Sequence, residues 1–227
     1  MPEGAPQPIR DAATVILWRP GPDGPRVLMG QRRAAAAFMP SKFVFPGGAV
    51  DASDAAVTLA QPLPAVCAGR LAVPGGPSPA ALAATAIREL WEETGLALGI
   101  PGRADLPEGW EGFAARGLVP AAGALRFVFR AITPPGRSRR FDARFLLAPA
   151  SAVAGDIDDF SAASDELAYL HWIGLDAARS LDLPFVTEVV LAEVAALLRR
   201  AGGVQAALPP VPFFDNSGDR PAFRRIA

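Results

Sequence analysis

The stretch from Ser78 to Leu96, SPAALAATAIRELWEETGL, constrains this chain more than any other. Ser78 can cap a helix by accepting a backbone N–H, Pro79 suits the first helical position, and Gly95 offers the left-handed stop. The spacing predicts a helix over 78–94. Within it, Glu89, Glu92 and Glu93 stand at i, i+3 and i+4, so all three carboxylates lie along one side. Like charges at that spacing repel, and these sit at the helix C-terminal end, where the backbone dipole disfavours anions. A solvated acidic face, with Arg88 and Glu92 as an i, i+4 pair, is the plain alternative. Two electrostatic penalties in the same two turns point instead to a compensating cation, and hard divalent ions such as Mg²⁺ or Mn²⁺ prefer clustered carboxylate oxygens.

The remaining elements alternate without a strict β-α order. Residues 11–18 read as a buried strand, joined through the turn 20–25 to a second strand at 26–31. A short strand at 43–45 runs into Pro46-Gly47-Gly48. Residues 49–78 are rich in Ala, Pro, Gly and Ser with weak periodicity and read as an inserted loop with a helical turn near 52–60. Residues 107–116 form a short amphipathic helix, 126–133 and 141–148 strands around the turn PPGRS, 167–173 another strand, and 184–200 a helix. The tail 207–227 is Pro-rich and reads as irregular. This order implies one α+β sandwich with helices on both faces of a mixed sheet.

At 51% apolar, 227 residues supply one sizeable core and are too few for two average domains, so residues 1–227 are expected to form a single domain. With 22 basic against 23 acidic residues there is no excess charge for a polyanion, so no nucleic-acid partner is expected. No run approaches the ~20 apolar residues of a membrane helix, so no membrane partner is expected either. The lone Cys67 cannot form a disulfide within the chain and reads as a buried small hydrophobe. With His171 as the only histidine, a zinc site is excluded too. These features suit the cytoplasm.

The Gly-Gly turn adds to the acidic helix. With no Cβ in the way, its backbone can come close to a ligand. Phe45-Pro46-Gly47-Gly48 followed by Arg88-Glu89-Leu90-Trp91-Glu92-Glu93-Thr94-Gly95-Leu96 resembles the signature of the Nudix hydrolases. The second half of the signature matches at every fixed position. The first half departs: Gly48 and Arg88 stand 40 positions apart against 14 in the family, and the Glu expected eight residues before Arg88 is Ala80. Asp51 and Asp54 are candidates for its role. A split at this point resembles the branch that includes the peroxisomal coenzyme A diphosphatases, as do AFMPSKFVFPGGAVD (37–51), RRFDARFLLA (139–148) and SDELAYLHWI (164–173). Leu28, Arg32 and the FPGG turn match that branch's upstream motif, whereas Arg33, Ala37 and Ser41 replace its Ser or Ala, its later Arg and its Gly.

The resemblance implies a Nudix-type α/β/α sandwich and a metal-dependent pyrophosphohydrolase. Glu89, Glu92 and Glu93, with the Gly47 carbonyl, would converge on Mg²⁺ or Mn²⁺. Arg88 would orient the glutamates, and Glu166, with Asp165 second, would add an acid from outside the signature. Gly48, Arg32, Arg33, Arg139 and Arg140 would bind substrate phosphates. Trp172 is expected in the core in preference to stacking on adenine, and His171 in a satisfied structural role. The insertion would cover or line the substrate pocket, so that shortening it would alter substrate preference more than melting temperature. The implied substrate is coenzyme A or an acyl-CoA, cleaved to 3′,5′-ADP and a 4′-phosphopantetheine. ADP-ribose, NADH or another nucleoside diphosphate derivative is the second reading. A Nudix fold reused as a ligand-sensing module is the third. The chain could pair as a homodimer.

Overall fold

The computed structural model describes residues 7–36, 38–200, 208–218 and 220–227. A mixed sheet forms the middle layer. Its strands are β1 (Ile9–Arg19), β2 (Arg26–Arg32), β3 (Phe43–Val44), β4 (Gly47–Ala49), β7 (Arg126–Ile132), β8 (Arg140–Pro149), β9 (Leu167–Gly174), β10 (Val211–Asp215) and β11 (Ala222–Ile226). The order is β11-β10-β7-β8-β1-β2-β3, with β4 paired to β1 and β9 to β2. The β1–β8 and β7–β10 pairs are parallel and the others antiparallel. A separate ribbon joins β5 (Gly99–Pro101) to β6 (Leu118–Pro120).

Strand alternation divides the core in two. Ala13, Val15 and Leu17 of β1 face helix α2 (Pro79–Thr94) and pack on Leu82, Ala83, Ile87 and Leu90. Ile16, with Phe129, Phe145 and Leu147, faces helix α5 (Phe185–Arg199) and packs on Val190, Leu191 and Val194. Helices therefore cover both faces of the sheet, as the sequence implies. Ser78 Oγ accepts the Ala81 N–H at 3.1 Å, and Gly95 takes φ 74° while its N–H closes on Trp91 O. The helix predicted over 78–94 is thus bounded by the caps that predict it.

Two regions differ from the sequence expectation. Residues 49–78 are not simply a loop. A 3₁₀ turn (Ala52–Ala56) and helix α1 (Ala65–Leu71) lie within them, and Val57, Leu63, Cys67 and Leu71 are buried in the α2-side core. Cys67 is the buried small side chain expected; its Sγ accepts the Phe127 N–H. The tail expected to be irregular carries β10 and β11. Arg70 anchors its start by donating to the carbonyls of Leu208 and Pro209, and Arg140 and Asn216 hold its end. The weak periodicity of both segments hides elements whose burial comes from partners distant in sequence. Three short helices or turns complete the chain: α3 (Glu111–Ala115), inside the predicted 107–116, a 3₁₀ turn at Ala150–Ala152, and α4 (Leu175–Ala178). No helix among the described residues is long and apolar enough to cross a membrane.

Candidate active site

The C-terminal half of α2 faces the strand β4 across the Gly-Gly turn. Glu93 is 1% exposed, and its Oε2 accepts the Gly47 N–H at 2.8 Å. Its Oε1 is buried without a hydrogen-bond partner among the described residues. A Cβ on Gly48 would run into the Glu89 carboxylate, so a side chain there would displace that carboxylate from its present position. Arg88 ties the acids together. Its Nη1 donates to Glu89 Oε1 at 2.9 Å and to Glu92 Oε2 at 3.1 Å, while its Nη2 also reaches Ala49 O at 3.2 Å. On the other side, its Nε and Nη2 donate to the two oxygens of Asp54, each at 2.9 Å.

Electrostatics mark these acids as unsatisfied. Burial pushes the Glu89 carboxyl up from 4.5 to about 7, against the pull of Arg88. Burial, together with the neighbouring Glu89, holds Glu93 well above the usual range despite the Gly47 N–H. Glu92 is raised as well, again chiefly by burial. Burial alone would depress Arg88, but Asp54, Glu89 and Glu92 outweigh it and raise it. One guanidinium therefore serves a group of four carboxylates.

The expected convergence is only partly present. Among the described residues, no three His, Cys, Asp or Glu side chains stand together as a ready metal cage. Arg88 bridges Glu89 and Glu92, Glu93 is turned onto the turn, and Gly47 meets it through its N–H rather than its carbonyl. The donor set nevertheless fits a hard divalent cation. It is made of carboxylate oxygens, one of them buried and unpartnered, and two of its acids are held up in pKa chiefly by burial.

Glu89, Gly47 and Gly48 open onto a cavity of about 630 Å³. Glu166 lines it too, held by Arg32 at 3.0 Å. Ala49, Ala12, Ala143 and Ala131 stand in register across β4, β1, β8 and β7, and Phe214 of β10 continues the row; all five line the cavity. Methyl side chains leave the layer under the first turn of α5 thin, whereas Phe145 and Phe129 fill the next part of that face. Phe38, Phe141 and Phe185 complete an apolar wall, and Arg10, Arg137 and Arg139 bring positive charge to the lining.

Not every expected substrate contact is in this cavity. Arg139 is. Arg33 does not line it and pairs with exposed Asp165 at 2.7 Å. Arg140 is buried and spent on the carbonyls of Thr133 and Asn216, so its role is to lock β8 to the tail. Arg139 lies in the loop just before β8, whereas Arg140 is the first residue of the strand. The insertion does not roof the cavity; its Asp54 is buried beneath Arg88 instead. Sequence reasoning missed Arg10, Arg137, Phe185 and Phe214, which only the fold gathers. The Asp51–Asp54 spacing was a readable signal, since Asp51 caps the 3₁₀ turn and Asp54 accepts the Asp51 N–H at 2.9 Å. Ser41 replaces the glycine of the upstream motif yet takes φ 61°, the region glycine prefers. Ala37 lies outside the described residues. Trp172 is a core residue donating to Ile157 O, and His171 Nδ1 faces Tyr169 O, both as expected.

No family model matches the chain. The chain is 36% identical over 125 residues to the acyl-coenzyme A diphosphatase NUDT19 of Gallus gallus, a match taking in 41% of this chain and 33% of that protein. The chain thus aligns with about a third of the length of that curated relative. The crystal structure of a Nudix hydrolase from Alicyclobacillus acidocaldarius superposes with a TM-score of 0.66 at 27% identity, covering 89% of this chain and 97% of that one. The Nudix domain of Shewanella oneidensis NrtR, solved with ADP ribose, gives 0.51 at 12% identity over 85% and 90% of the two chains, and shares the fold. With the acidic helix facing its Gly-Gly turn inside an α/β/α sandwich of that form, the chain has the Nudix fold and is similar in sequence to Nudix hydrolases over part of its length.

Proposed function

We propose that this protein is a divalent-metal-dependent pyrophosphohydrolase acting on a nucleoside diphosphate linked to another group, and that coenzyme A or an acyl-CoA is its substrate. The observation that carries this reading is a single continuous cavity. At one end is the under-neutralised Glu89 beside Gly47 and Gly48, with Glu93 buried behind the turn; along the rest run cationic and apolar linings. A pyrophosphate needs the first, and a long pantetheine arm bearing a phosphorylated ADP head needs the second. Similarity to a protein named an acyl-coenzyme A diphosphatase supports the choice.

Glu89, Glu92 and Glu93 would hold Mg²⁺ or Mn²⁺, which when bound supplies charge neutralisation and Lewis acidity at the phosphoryl oxygens. Gly48 keeps the turn free of side-chain bulk beside Glu89. Glu166, half exposed in the cavity and oriented by Arg32, is our candidate to take the proton of the attacking water. Arg137 and Arg139, in no ion pair among the described residues, would bind the non-reacting phosphate.

The test is kcat/KM for CoA, dephospho-CoA and ADP-ribose with Mg²⁺ or Mn²⁺. If a guanidinium reads the 3′-phosphate, its removal costs about 1.5–3 kcal/mol, a preference of tenfold or more for CoA. Equal or better activity on ADP-ribose replaces CoA with the broader substrate class. Binding of these nucleotides without hydrolysis favours a ligand-sensing module.

A further inference from the structure

The inserted segment supplies the one carboxylate of this group that comes from outside α2. Asp54 is 1% exposed and fully engaged. It accepts Arg88 Nε and Nη2 at 2.9 Å each, Thr85 Oγ1 at 2.8 Å and the Asp51 N–H at 2.9 Å. Arg88 in turn touches Glu89 and Glu92 through Nη1 alone. A buried guanidinium with no other counter-charge would draw Glu89 and Glu92 onto itself, and any cation would have to compete for them. Asp54 lessens that competition by engaging Arg88 from the far side with a two-point contact, the stronger geometry, which leaves only Nη1 on Glu89 and Glu92. More of their charge then remains available.

We propose, building on the proposed function, that Asp54 is a positioning residue of the site: it holds Arg88 and so weakens its hold on Glu89 and Glu92, which with Glu93 bind a divalent cation. The insertion is on this account part of the metal-binding apparatus and not a lid on the substrate. Ala80 bears on the same point, because it is exposed in the first turn of α2, far along the helix from Arg88.

The experiment is titration of the metal-free chain with Mn²⁺, read by the electron paramagnetic resonance signal of the free ion, alongside melting temperature and a split of kcat from KM on CoA. Asp54→Asn keeps the volume and removes the charge. It should weaken Mn²⁺ binding about tenfold and lower kcat by a similar factor or more, with KM at saturating metal within threefold. Thr85→Ala removes one anchor of Asp54 without touching Arg88, and should weaken Mn²⁺ two- to fivefold. It carries the test if Asp54→Asn does not fold. Wild-type Mn²⁺ affinity in a folded Asp54→Asn protein, whatever its melting temperature, overturns the inference alone; so does unchanged affinity in Thr85→Ala if that variant must stand in. Wild-type protein that neither binds Mn²⁺ nor hydrolyses any pyrophosphate of the panel overturns the proposed function and this inference with it.

Discussion

Two buried arginine–carboxylate groups flank the middle of the sheet, and they are built to opposite rules. In one, Arg130 and Arg144 face Asp142 and Asp11. Arg130 grips Asp142 through Nε and Nη2 at 2.8 and 2.6 Å, and Arg144 bridges Asp142 at 3.2 Å and Asp11. Two cations meet two anions and the group is closed. In the other, Arg88 faces Asp54, Glu89 and Glu92, with Glu93 buried alongside. Here the acids are in excess, and burial, with their mutual repulsion added, lifts Glu89 and Glu93. Burying ions is costly unless their charges are matched, so a balanced group can persist as structure alone. An unbalanced one persists because something else completes it, which is the physical content of calling it a site.

The difference is open to breaking. Glu93→Gln removes a charge at constant volume, and turnover at saturating Mg²⁺ should fall at least ~10²-fold while the cation-free protein melts no lower than wild type. Near wild-type turnover in that variant would remove Glu93 from the site. Asp142→Asn should do the reverse. Leaving Arg130 and Arg144 without their shared partner costs on the order of 3 kcal/mol of stability, read by denaturant melts, with turnover per folded molecule within about twofold. A stable but inactive Asp142→Asn protein would mean that the balanced group has a functional role as well.

Acidity sharpens the same contrast. Glu89 holds its proton more tightly folded than unfolded, 4.5 rising to about 7. The cation-free protein therefore carries no penalty from this group below about pH 4.5 and loses stability progressively as pH rises to about 7. The loss is on the order of 3 kcal/mol. Melting curves in EDTA at pH 5 and pH 8 should show this slope. Added Mg²⁺ should flatten it, and Glu89→Gln should remove the Glu89 share. A slope unchanged in Glu89→Gln would trace it to other groups.

What could be read from the chain divides along physical lines. Helix α2 was legible residue by residue because caps and i, i+4 geometry are local: Ser78, Pro79 and Gly95 set its ends, and Glu89, Glu92 and Glu93 share a side by helix period alone. β10 and β11 were not legible. Their order depends on β7, some eighty residues earlier, and on carbonyls held by Arg70 and Arg140. Arg139 and Arg140 are neighbours in sequence, yet one lines the cavity and the other is buried, a choice that the fold makes and composition cannot.

The sequence by itself determined the acidic helix, a Gly-Gly turn whose backbone can come close to a ligand, and the local cluster of like-charged carboxylates on that helix. These follow from backbone geometry and Coulomb repulsion within a few residues. Tertiary structure alone decided which side of Gly47 meets Glu93, that Asp54 holds Arg88 across a gap of 34 positions, and that alanines from four strands line up beneath α5 to leave room for a ligand. Such choices rest on packing and on charges brought together by the sheet, and spacing along a chain does not encode distance across it.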